Sequence, residues 1–99
     1  MKYELTIIAP EDISDAGIHE IKRVLRKHAL DIGKFENDGV KTLAYPITSG
    51  GKKHDRGRYL FWDLWLPDGE PSKLSCELNI NDLVVRYLLV KADTRYRGR

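Results

Sequence analysis

Residues 57–67 read GRYLFWDLWLP, and a stretch with a bulky apolar residue at almost every position narrows what this chain can fold into. Neighbouring side chains of a strand point to opposite faces, so a half-buried strand alternates apolar with polar. Here one parity supplies Leu60, Trp62, Leu64 and Leu66, while the other supplies Tyr59, Phe61, Asp63 and Trp65. Asp63 assigns the second set to the face away from the core, because an isolated carboxylate is almost never fully buried. Three aromatic rings then stand on the outer side of a sheet. A contiguous apolar patch of that kind marks a binding surface.

The flanking segments say what sort of sheet holds this strand. KYELTIIA at 2–9 is β-branched and aromatic enough to be a strand, and Pro10 ends it. Ser14 is placed to cap a helix, Asp15 lies in a first turn where the helix dipole favours an anion, and Gly33 lies beyond the end. Ile18, Ile21, Val24, Leu25 and His28 fall at helical spacing and form a stripe to be buried, with His19, Glu20, Lys22, Arg23, Arg26 and Lys27 outside it. Asn37–Gly39 gives a turn signal, followed by a strand in which Leu43, Tyr45 and Ile47 share a face. TSGGKKHDR at 48–56 reads as a polar loop, long enough that its flanking strands need no tight turn. After PDGEP, Pro71 suits the first position of a short helix on which Leu74 and Leu78 face inward, and Leu83–Val90 is a fourth strand.

The order strand, helix, strand, strand, helix, strand predicts an α+β fold of the split βαβ kind, a four-stranded antiparallel sheet with two helices. Two right-handed crossovers put both helices on one face and leave the other without cover. Residues 1–92 are expected to form this one domain. The basic tail at 93–99, DTRYRGR, offers too little apolar surface to order itself alone.

A chain of 99 residues has room for one core. Its 41% apolar and 32% charged residues fit neither a disordered chain nor one with a bilayer-spanning run. MKYELTIIAP is too short and interrupted for a signal peptide, and the lone Cys76 allows no intrachain disulfide, so an intracellular protein is expected. His19, His28 and His54 have no metal-ligand spacing, Cys76 reads as structural, and SGG at 49–51 lacks the frame of a phosphate loop. Neither a cofactor nor a catalytic group is expected. The net charge is +2, but residues 52–58 carry +3, residues 91–99 carry +3 and the remainder −4. A phosphate-facing edge concentrates charge in this way, and so do loops charged for solubility.

Four pieces, YELTII (3–8), KTLAYPI (41–47), GRYLFWDLWLP (57–67) and ELNINDLVVRYLLVK (77–91), run collinearly from Tyr3 to Lys91 and together resemble the bacterial small-subunit ribosomal protein S6 family. LAYPI, and ND followed by V-x-R-x-x-x-V, carry the likeness in combination. The resemblance implies a ferredoxin-like fold, no catalysis and a place on the platform of the small ribosomal subunit, in the cytoplasm or in an organelle. It also implies pairing with ribosomal protein S18 and binding to the central domain of small-subunit ribosomal RNA. Two departures stand out. GKFENDG is shorter between its glycines than the family pattern, which shortens an outer strand or its hairpin, and the loop at 48–56 is longer and more basic, which extends reach toward RNA.

On this reading Tyr59, Phe61 and Trp65 anchor the partner protein, with homodimerisation or plain cross-strand packing as the alternative. Lys2, Lys52, Lys53, Arg56, Arg58, Lys91, Arg95 and Arg97 contact phosphate, which positions RNA without reading its sequence. Arg86 interrupts an apolar run and belongs on the open face or its rim, against phosphate or the partner, or else in a salt bridge with Asp63 or Glu4. Two rival readings remain open. An RRM-like single-stranded RNA module shares the element order, although Thr6 and Ile8 stand where it would carry a first-strand aromatic. A homodimeric ferredoxin-like enzyme or ligand-binding domain would bury its open faces against each other and form a pocket between the sheets.

Overall fold

The computed structural model describes residues 1–92, and the predicted tail at 93–99 lies outside the described residues. The elements are β1 (Lys2–Pro10), α1 (Asp15–His28), β2 (Asp31–Ser49), β3 (Lys52–Trp65), α2 (Glu70–Asn79) and β4 (Arg86–Lys91). They build one sheet in the order β2-β3-β1-β4 with every neighbouring pair antiparallel. This is the split βαβ, ferredoxin-like arrangement. Each helix follows one strand and leads to another that lies two places away.

Local chemistry sets the helix ends. Ser14 Oγ accepts a hydrogen bond from the Gly17 backbone N–H at 3.1 Å, satisfying one of the four donors that a helix start leaves orphaned. Arg26, Lys27 and His28 occupy the last turn of α1, where cations oppose the dipole. Gly69 precedes α2 with φ of 87°, a left-handed conformation, and Pro71 lies in the first turn where its missing N–H costs nothing.

The core fills one side of the sheet. Leu60, Trp62, Leu64 and Leu66 of β3 and its end, Leu5, Ile7 and Ala9 of β1, Ile21 and Leu25 of α1 and Leu74 and Leu78 of α2 form a single buried cluster. The parity that Asp63 fixes is therefore the observed one. Phe35 of β2 stacks on Trp62 with ring centroids 4.8 Å apart and closes the outer edge of this layer.

Three expectations about the second half of the sheet are corrected. The loop at 48–56 is a hairpin turned by Gly50 and Gly51 alone, with φ of 59° and 76°, and Thr48 pairs with Lys53 and Ser49 with Lys52. Two consecutive left-handed residues match the twist of the strands they join, which is why glycine serves at both. β2 runs for 19 residues and is the longest element. The Asn37–Gly39 signal is a register shift inside that strand, with Gly39 at φ of 84°, rather than a turn before it. Finally, β4 begins at Arg86 instead of Leu83, because Asn81 Oδ1 accepts the Leu83 N–H at 2.8 Å and its carbonyl accepts the Val84 N–H, holding 81–84 in a turn.

Past the Pro10–Gly57 pair, β3 has no neighbour but β2, so residues 41–56 form a two-stranded arm. A Cβ on Gly57 would collide with Ile8 Cγ2 and lie 3.7 Å from Leu43 Cδ2. Glycine here lets the arm fold closely across the end of β1, and Leu43 is buried by that crossing. Of the predicted face, Tyr45 stays 67% exposed and Ile47 is half-buried.

Candidate RNA and protein interfaces

Directly opposed residues of an antiparallel pair share a face, so the register maps the uncovered side of the sheet. Its top row is Arg86, Ile8, Tyr59 and Gly39; the next is Leu88, Thr6, Phe61 and Glu36; then come Val90, Glu4 and Asp63, and last Lys2, Trp65 and Asp31. Tyr59, Phe61 and Trp65 are thus brought to one face, and all three are half-buried rather than bare.

Neighbouring groups of the same chain supply that cover. Trp65 lies against Gly33, where a Cβ would come within 2.8 Å of its Cζ3, and the Lys2 ammonium sits 5.4 Å from its ring centroid. Lys41 stands 5.4 Å from the centroid of Tyr59. These are cation–π contacts at an exposed surface, each worth about 0.5–1 kcal/mol. Phe61, in the middle of the sheet, has no cation over its ring among the described residues.

The barest apolar groups are on β4. Leu88 is 61% and Val90 45% exposed, and Leu88 faces Phe61 across Thr6. Reasoning from the third strand alone passed over both. The signal was available in the sequence: once Arg86 is placed outside, Leu88 and Val90 share its parity.

The basic candidates separate into two groups. Lys52, Lys53 and Arg56 lie on the arm, Lys52 and Lys53 exposed and without an ion pair among the described residues, Arg56 3.8 Å from Glu11. Arg58 pairs with Ala9 and so points to the helix side, half-buried, with Nη2 3.5 Å from the Glu11 carbonyl oxygen. Lys2 and Lys91 lie at the opposite end of β1, roughly 25 Å away at ~3.3 Å per residue. There Lys2 holds Asp63 at 3.8 Å. The basic residues expected along one edge lie at two ends of the sheet. Arg86 is exposed beside Ile8 and makes no ion pair among the described residues, so the bridge to Asp63 does not form. Arg95 and Arg97 lie outside the described residues.

No group of three or more metal-ligating side chains exists among the described residues, and no helix there is long and apolar enough to cross a membrane. A polar cleft of about 910 Å³ lies between the arm's turn, Glu11 and Asp12 and the residues leading into β4, and is lined by Lys52, Lys53, His54, Asp55 and Asp82 among others. Its walls are of mixed sign.

A sequence model of the family described as Ribosomal protein S6 matches residues 2–91. The chain belongs to the ribosomal protein S6 family. Small ribosomal subunit protein bS6 of Brucella canis is 30% identical over 98% of this chain and 66% of its own length. The protein of the same name from Agrobacterium fabrum is 29% identical over 97% of this chain and 63% of its own, so the chain spans about two thirds of these relatives. The crystal structure of 30S ribosomal protein S6 from Thermotoga maritima has the same fold, with a TM-score of 0.73 and 18% identity over 92% of this chain and 86% of that one. Membership makes this a small ribosomal subunit protein, located at the ribosome in the cytoplasm.

Proposed function

We propose that this S6-family chain is a non-catalytic structural component that binds the central domain of small-subunit ribosomal RNA through the two basic ends of its sheet and receives ribosomal protein S18 on its uncovered face. The observation that carries the reading is the pair of exposed residues Leu88 and Val90 beside half-buried Phe61, on a sheet whose opposite side carries the packed core. Exposed apolar area of this kind costs solubility unless a partner covers it. Phe61, continuous with that patch, would be the aromatic anchor, and Tyr59 and Trp65 would border it. Arg86, exposed and without an ion pair among the described residues, stands at the rim where it can meet phosphate or the partner.

The arm brings Lys52, Lys53 and Arg56, and the other end brings Lys2 and Lys91, with Arg95 and Arg97 following in sequence. Two cationic sites roughly 25 Å apart suit a folded RNA with phosphates at two places, recognised by shape. Arg58 contributes by holding the base of the arm to Glu11.

Reconstitution with S18 and a central-domain RNA fragment tests this. Lys52→Ala with Lys53→Ala should weaken RNA binding and reduce the slope of log affinity against log salt by about 1 to 2. An unchanged slope would remove the arm from the RNA contact. Equal affinity for unstructured oligonucleotides, with tryptophan quenching, would favour the RRM-like reading instead.

A further inference from the structure

The two helices meet through a polar cluster that no RNA or partner contact requires. His28, in the last turn of α1, has only 11% of its side chain exposed. Its Nδ1 lies 2.8 Å from Glu70 Oε1 at the start of α2, and its Nε2 lies 3.5 Å from Glu77 Oε1, two turns further along the same helix. Nε2 is buried and has no other acceptor or donor. Lys73 of α2 pairs with Glu70 at 3.4 Å, and Lys27 of α1 pairs with Glu77 at 3.2 Å. Among the described residues these four are the only charged groups in ion-pair contact with the cluster.

A neutral imidazole has one N–H and one bare lone pair. Either tautomer would therefore aim a lone pair at a carboxylate: at Glu77 if the proton is on Nδ1, at Glu70 if it is on Nε2. Only the imidazolium donates on both sides. We propose that His28, carrying both ring protons, is a proton-dependent brace that ties α1 to both ends of α2 and so makes the packing of the helical layer respond to pH.

Both carboxylates are held in the charged form that such a brace needs. The Glu70 carboxyl lies below its usual range chiefly because His28 donates to it, helped by Lys73 and against the effect of burial. The Glu77 carboxyl is lowered first by Lys27, then by His28, again against burial. A carboxylate whose folded value is depressed stabilises the fold above its unfolded value, and that contribution is lost as pH falls through the folded value. The brace is thus lost on the acid side as Glu70 and Glu77 take up protons.

Two measurements decide this. In nitrogen-15 spectra of the folded protein at about pH 6, both His28 ring nitrogens should report N–H, and Glu77→Gln should return the ring to a single proton. In denaturant melts the excess stability of wild type over His28→Gln should be greater near about pH 6 than near about pH 8, and should be lost again as Glu70 and Glu77 are protonated. A single fixed tautomer across that range, or a stability gap that does not change with pH, would overturn the proposal. If His28→Gln fails to fold, the Glu77→Gln and Glu70→Gln profiles serve the same comparison, since each should flatten the same limb.

Discussion

On the β2–β3 half of the uncovered face, Tyr59 and Trp65 are partly roofed by Lys41, Lys2 and Gly33 of the same chain, whereas on the β1–β4 half Leu88 and Val90 stand open beside Phe61. The difference follows from strand neighbours. β2 is long and bears lysine and glycine opposite the rings, so that half is finished by its own chain. β4 is short and lies at the sheet's edge, so nothing among the described residues reaches over it. Aromatic content alone is therefore a poor guide to where a partner sits. A ring that its own chain caps contributes to folding, and a modest aliphatic pair left bare is the better candidate for docking.

Substitutions can break that contrast. The largest effect is expected from Leu88→Asp with Val90→Asp, which should weaken S18 binding by thirtyfold or more, about 2 kcal/mol, while changing stability by only about 0.5 kcal/mol. Calorimetric titration beside urea melts checks both halves of the statement, and a large loss of stability with binding intact would erase the distinction. Gly57→Ala acts elsewhere: the new methyl meets Ile8 where the arm crosses β1, so stability should fall by about 1–3 kcal/mol in the same melts. Trp65→Ala should cost about 1 kcal/mol of stability, since the ring is half-buried, with less than a threefold change in partner affinity. Smallest of all, Lys41→Ala should cost about 0.5 kcal/mol through the lost cover on Tyr59. A partner that bound many times more weakly to Trp65→Ala than to the β4 variant would reverse the assignment of the two halves.

Much of the architecture could be read from residue order. Asp63 sets the parity of β3, the Ile18–His28 spacing gives α1, and the element order gives the topology. The arm was hidden because KKHDR lacks the alternation of a strand. Those residues are extended because β2 pairs with them, an effect of tertiary context that propensity does not carry. The start of β4 was hidden for a related reason. LVVRYLLV is apolar throughout, and only the Asn81 side chain, bonding to Leu83, diverts its first residues into a turn. The site was legible in its outline and not in its detail. That Lys41 meets Tyr59 and Gly33 meets Trp65 depends on register shifts in β2, of which only the one at Asn37–Gly39 left a signal in the sequence, and that signal reads as a turn.

The division of the basic residues between two ends was likewise out of reach. Lys52 and Lys91 are both cationic segment ends on paper, and only the antiparallel path of β3 and β4 relative to β1 carries them apart. This separation makes two independent salt-sensitive contacts the expected behaviour, in place of one continuous strip.

Methyl NMR of the S18 complex tests the central claim most directly. With leucine, valine and isoleucine methyls labelled, S18 should broaden or shift Leu88, Val90 and Ile8 and leave Ile21, Leu25, Leu74 and Leu78 of the helical layer in place. Perturbation confined to the helical layer or to Leu43 and Ile47 of the arm, with the β4 methyls unmoved, would contradict it.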